Sequence, residues 1–173
     1  MACQITEQYR LKLKYLDIGG GFFGGMAGKP QFNDYLHILR ETLSRQFSAE
    51  ETTLVIEPGI SLVGSSVSYV ATVVDVKETT RNRFVITDGS RTHIDPLMHK
   101  TGYFYDVRRQ NTREDISLAK QVLCGFTCME ADRLMVVNDQ PPLHTGDQIL
   151  FRKVGAYTMN LAPQFIRYFP PVY

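Results

Sequence analysis

Four stretches of this chain carry residues whose types and spacing can do chemistry. In the first, Leu16 to Gly25 reads LDIGGGFFGG, an apolar run that ends in three glycines, two phenylalanines and two further glycines. Glycine reaches backbone conformations closed to other residues and leaves its N–H bare, so such a cluster can nest an anion, phosphate above all. The same string also reads as a flexible turn. The second is Glu57, where Leu54, Val55 and Ile56 meet Pro58 and Gly59. A Glu before Pro-Gly commonly just opens a turn. Beside a phosphate nest, a carboxylate there can instead hold a proton on the ring nitrogen of a bound cofactor. The third, Cys124 to Asp132, reads CGFTCMEAD, two thiols and two carboxylates around a glycine. It is either a strand end with a buried cysteine and a solvated acidic turn, or a loop that delivers Cys128 and an acid to a reactive centre. The fourth is GAYT, Gly155 to Thr158, in which Tyr157 either bonds a phosphate or sits at a core edge with its hydroxyl satisfied.

The elements that must position these residues are legible in outline. Phe32, Tyr35, Leu36, Leu39, Leu43 and Phe47 recur at helical spacing, with Asp34, Arg40, Glu41 and Arg45 turned away, which predicts a core-facing amphipathic helix. An apolar run, a glycine turn, this helix and the Leu54–Ile56 run make a βαβ unit, and in such folds ligands sit at the carboxyl ends of the strands. Past Gly64 the pattern changes. Ser68 to Lys77 and Arg83 to Thr87, joined by a polar tip, predict an antiparallel hairpin, and further β-like runs follow at 121–127, 134–138 and 148–151. The expected architecture is an α/β fragment over residues 1–64, followed by an all-β sandwich or small barrel over 65–173. Two parallel strands and one helix leave sheet edges open, so further elements are expected upstream, and self-association through the open edge is expected without them.

Composition limits the function. At 173 residues and a formal charge of +1, the chain can build one good core or a small domain plus part of another. It offers no electrostatic reason to expect nucleic acid or an anionic membrane as partner. No apolar run has the length of a bilayer span and MACQITEQYR lacks the apolar core of a secretion signal, so the expected compartment is the cytoplasm. The three cysteines fit neither a disulfide framework nor a zinc site; each is expected to be a free thiol, by default a small buried apolar side chain, and no metal is expected.

Taken in order, GGGFFGG, EPG, DGS, TCMEAD and GAYT resemble the carboxyl-terminal part of the fold-type III pyridoxal-phosphate decarboxylases, the family of ornithine, diaminopimelate and carboxynorspermidine decarboxylases, from about Leu13 to Pro163. The resemblance implies the end of a TIM-type barrel of eight parallel strands, joined to a β-sandwich or Greek-key barrel. It implies pyridoxal 5'-phosphate as cofactor, an amino acid that loses its α-carboxylate as carbon dioxide, and a homodimer with shared active sites. Position by position, Gly19, Gly20 and Gly21 match the family's phosphate-binding loop, with Gly59 beside it. Glu57 matches the acid at the pyridine nitrogen, and Tyr157 the tyrosine near the phosphate. Cys128 matches the cysteine sent across the dimer interface to place a proton after decarboxylation. The segment Asp88 to Met98 occupies the place of the substrate-contacting loop, where His93 and Asp95 are candidates beside a reading as solvated loop residues, and Glu130 is a further candidate.

Three departures qualify what the resemblance implies. Ile60 stands where the family motif EPGR has an arginine, removing a charge-assisted bond to phosphate worth about 1.5–3 kcal/mol. Met129 stands where an acid often follows the cysteine, with Glu130 one place later, so the substrate is not copied from the relatives. The lysine that holds the cofactor lies in the family's early barrel strands, and Lys12, Lys14 and Lys29 stand in no matching motif. The chain alone is therefore expected to be inactive. The rival expectation is a non-catalytic decarboxylase-like protein that regulates or pairs with an enzyme; a racemase of the same fold type fits the Cys128 segment less well.

Overall fold

The glycine string and the Glu57 turn follow two short parallel strands, β1 (Tyr15–Asp17) and β2 (Thr53–Val55), paired Tyr15↔Thr53 through Asp17↔Val55. The pairing outlasts the strands, because Ile18 N–H donates to Val55 O at 3.1 Å and Glu57 N–H to Gly19 O at 2.7 Å. The computed structural model describes residues 1–110 and 116–173, and the chain divides into two units, Met1–Ser65 and Ser66–Tyr173.

In the first unit, helix α1 (Ala2–Tyr9) precedes β1, and α2 (Phe32–Leu43) connects the two strands. The first of these helices was not expected. Its C-cap Arg10 is left-handed at φ 49°, and Thr6 turns its hydroxyl back onto Ala2 O and Cys3 O. Helix α2 starts where Asp34 accepts the Gln31 N–H at 2.7 Å, half of a capping box. The half-buried positions from Phe32 to Phe47 include the six that the periodicity singles out. None is fully buried, and Thr6, Phe22 and Gly64 are the buried residues described in this unit. The Phe22 ring packs edge-on against Phe32 at 5.8 Å and Tyr35 at 5.4 Å, so a phenylalanine of the glycine string pins that string to α2. A short α3 (Ile60–Val63) follows the Glu57 turn.

The second unit is built on β3 (Tyr69–Glu78), β4 (Arg83–Thr87), the turn α4 (Arg91–Ile94), β5 (Phe104–Arg108), β6 (Gln121–Cys124), β7 (Arg133–Val137) and β8 (Gln148–Arg152). The described strands form one six-stranded sheet in the order β5-β8-β3-β4-β6-β7, antiparallel except for β4 with β6. This is a half-barrel, coarser than the sandwich or Greek-key barrel expected. Strand β3 makes it possible. Tyr69–Thr72 pairs with β8, most of Val73–Glu78 pairs with β4, and the register shifts between Val73 and Asp75. Such an irregularity bends a strand and raises its twist, so one long strand can serve both halves of the sheet.

Period-two alternation sends Ala71 and Val73, Leu134, and Ile149 and Phe151 to the inside, where they meet Val85, Leu123 and Leu143 at 0–2 % exposure. Strand β5 was missed from sequence, although Tyr105 and Val107 alternate with exposed neighbours and pack on this core. The run expected over 121–127 stops at Cys124, where Gly125 turns the chain toward Asp132. Among the described residues, no helix is long and apolar enough to cross a membrane.

Candidate active site

The structure brings Gly19, Gly20, Gly21, Glu57 and Gly59 together at the carboxyl ends of β1 and β2. Asp17 closes the end of β1, its Oδ1 accepting the Gly19 N–H at 2.8 Å. Gly20 lies flat on the Glu57 turn, where an added Cβ would stand 2.5 Å from Glu57 O. Only glycine fits there. At Gly21, φ is +87° and a Cβ would meet nothing within 4 Å, so the opposite side of the string is open. The N–H groups of Gly20 and Gly21 donate to no acceptor among the described residues. Glu57 is exposed, and its Oε2 would lie 4.0 Å from a Cβ on Gly19. Undonated N–H groups, an open approach and an adjoining carboxylate fit a group with a phosphate at one place and a basic ring nitrogen at another. Ile60 begins α3, 42 % exposed, and supplies no cation.

The second unit gathers the DGS and CGFTCMEAD segments around Asp132. This carboxylate is 2 % exposed and accepts four hydrogen bonds. Oδ1 takes Arg91 N–H at 2.7 Å and the Ser90 hydroxyl at 3.1 Å; Oδ2 takes Thr127 N–H at 3.1 Å and the Thr127 hydroxyl at 2.6 Å. Phe126 N–H adds a bond to Gly89 O. A buried charge is tolerated when so surrounded by donors. Its effect is to fix the loop that carries Cys128 and Glu130. Nothing in spacing alone marked Asp132 as this brace, because two of its donors come from residues 41 and 42 positions upstream as well as from its own loop.

Cys128 is exposed on that loop, which corrects its default reading as a buried apolar side chain. Cys124 is half-buried, and burial pushes its thiol pKa up, against the pull of Arg133. The Glu130 carboxylate is 92 % exposed and pairs loosely with Arg133 at 3.4 Å. Tyr157 is 57 % exposed and held at φ +54°. A left-handed tyrosine costs about 1–3 kcal/mol, and such outliers concentrate at functional sites.

The reading of Asp88–Met98 as a solvated loop is corrected. His93 and Asp95 are 7 % and 3 % exposed. The Asp95 oxygens are taken by the Arg91 guanidinium at 2.9 and 3.1 Å and by the His99 and Lys100 N–H groups. His93 Nδ1 lies 2.8 Å from the Tyr69 hydroxyl. Burial lowers the His93 pKa and raises that of Tyr69, each disfavouring the charged form. Both face a cavity of about 790 Å³ that is also lined by Thr158, Met159 and Arg167. These buried side chains were hidden in sequence because Asp88–Asp95 is polar apart from Gly89 and Ile94, and its burial depends on partners distant along the chain.

A half-barrel sheet preceded by a βαβ unit, with undonated glycine N–H groups and a carboxylate at its strand ends, defines an α/β-plus-sheet class of domain. Residues 15–155 match the family described as "Pyridoxal-dependent decarboxylase, C-terminal sheet domain", and the chain belongs to that family. Pyridoxal phosphate is the cofactor of its intact enzymes. The chain is 27 % identical over 156 residues to diaminopimelate decarboxylase of Helicobacter pylori, covering 90 % of this chain and 38 % of that protein. It is 25 % identical over 176 residues to antizyme inhibitor 2 of Xenopus laevis, covering 94 % and 39 %. The chain thus spans about two fifths of the length of these relatives. Its fold is that of lysine decarboxylase from Selenomonas ruminantium, with a TM-score of 0.77 at 22 % identity over 99 % of this chain and 46 % of that one.

Proposed function

We propose that this chain is the carboxyl-terminal part of a pyridoxal-phosphate-dependent amino-acid decarboxylase: the end of its barrel, residues 1–64, and its sheet domain, 65–173. The observation that carries the proposal is the pair of strand ends where Gly20 and Gly21 offer undonated N–H groups beside Glu57. Gly20 and Gly21 would hold the phosphate, with Gly59 keeping the adjoining turn close, and for Tyr157 the role at the phosphate rests on the family resemblance alone. Glu57 would hold a proton on the ring nitrogen. When bound, the cofactor supplies an electron sink for the charge left as carbon dioxide departs. Cys128, exposed on a loop fixed by Asp132, would reach the site of a second copy of the chain and move a proton to the substrate carbon. Glu130, beside it, would meet the distal group of a diamino acid. Asp95 would act through the loop it holds, its oxygens being already occupied.

The test is to express the full open reading frame that contains this chain, load it with pyridoxal phosphate, and measure carbon dioxide released from ornithine, lysine, diaminopimelate and arginine. Release is expected with at least one of them, with kcat falling about 10²-fold or more in Cys128→Ala. The alternative is a non-catalytic decarboxylase-like regulator or dimer partner. Ile60 in place of arginine favours it, as does the similarity to antizyme inhibitor 2. Stable dimers without carbon dioxide release from any of the four amino acids would select that reading.

A further inference from the structure

On the second unit, away from Tyr69 and His93, lies another cavity, of about 370 Å³. Its lining is one-signed: Arg91, His99, Lys100, Lys120 and Arg133 contribute five basic side chains, and no carboxylate lines it among the described residues. For a chain whose formal charge is only +1, this is a local concentration of one sign. Part of it is compensated nearby. Arg91 pairs with Asp95 at 2.9 Å, and Arg133 with the solvent-facing Glu130 at 3.4 Å. Lys120 and His99 enter no side-chain ion pair among the described residues. Counting the Arg and Lys side chains against these two carboxylates leaves two positive charges over. Phe84 and Val122 contribute apolar lining, which strengthens electrostatic contacts by excluding water.

Lys100 is the clearest sign of cost. Its Nζ donates to Ile94 O at 3.0 Å and stands 5.7 Å from the Tyr103 ring centroid, and burial lowers its pKa despite Asp95. A half-buried cation among other cations is expensive unless an anion offsets it.

We infer that the cavity lined by Arg91, His99, Lys100, Lys120 and Arg133 is a binding site for a small ligand carrying two or more phosphate charges. Its volume is that of a small-molecule pocket rather than of an extended groove. Arg and Lys together supply forked and point-charge donors suited to phosphate oxygens. Arg91 N–H also bonds Asp132, so a ligand that draws on the Arg91 guanidinium would act on the brace of the Cys128 loop. The site shares no residue with the glycine string, and its existence does not depend on the cofactor reading.

The experiment is calorimetric titration of the protein with inorganic pyrophosphate, followed by amide NMR of the complex. Saturable one-to-one binding is expected, with shifts at His99, Lys100 and Lys120. The exposed substitutions Lys120→Glu and Arg133→Gln should each weaken binding about tenfold or more. Lys153→Glu, on another strand end, should leave it unchanged, with circular dichroism confirming that every variant is folded. Absence of saturable binding would overturn the inference. So would equal weakening by all three substitutions, shifts confined to Gly20 and Gly21, or binding of a single-stranded RNA oligomer but not of pyrophosphate.

Discussion

Asp132 shows how one residue can decide whether a loop is a site. Its carboxylate gathers four donors from two segments, and the loop carrying Cys128 is fixed as a consequence. Asp132→Ala strands those donors in a buried place and is expected to cost about 3 kcal/mol, read as a lowered denaturant midpoint. It should also speed hydrogen exchange at 125–132. His93 carries the second prediction at this scale. Because burial lowers its pKa from the ordinary 6.5, the unfolded chain takes up a proton at a pH where the folded chain resists it. Stability should therefore be complete above 6.5 and decline as pH falls from 6.5 through the lower folded-state value. An imidazolium also has no acceptor at Nδ1 for the Tyr69 hydroxyl. Thermal melts from about pH 7.5 to about pH 5 should show this decline, and His93→Gln should flatten the part due to this residue.

Among the elements, β3 organises the second unit, since it pairs with β8 along one half and β4 along the other. Phe151 on β8 is fully buried, with the rings of Tyr69 and Tyr103 at 6.3 and 5.5 Å. Phe151→Ala should cost about 3–5 kcal/mol by urea unfolding, whereas the same change at the half-exposed Phe104 should cost far less. Elements with strong local periodicity were legible in sequence. The face of α2, the β3–β4 hairpin and the later runs at 133–137 and 148–152 all stand close to their expected places. Strand β5 and helix α1 were not, because their patterns are short and compete with polar surroundings. The parallel partnership of β4 and β6 was equally hidden, since pairing across 38 positions leaves no local trace.

For the molecule as a whole, the two units differ in how much they bury. The second holds a contiguous apolar cluster from Ala71 to Val154, whereas the first buries Thr6, Phe22 and Gly64 among its described residues. Native-state hydrogen exchange should reflect this, with slow amides in β3, β4, β6 and β8 and fast ones in β1 and β2. Uniform protection across both units would contradict it. By itself the sequence determined the order of five segments that place the chain in its family, the glycine string at the end of its first strand, the amphipathic face of α2 and the β3–β4 hairpin. These are local facts of residue type and spacing. Tertiary structure alone decided that Asp95 and His93 are buried, that Asp132 braces the Cys128 loop, and that five basic residues from distant segments share one cavity. Burial and charge clustering are sums over neighbours brought together by folding, and no single stretch of chain contains them.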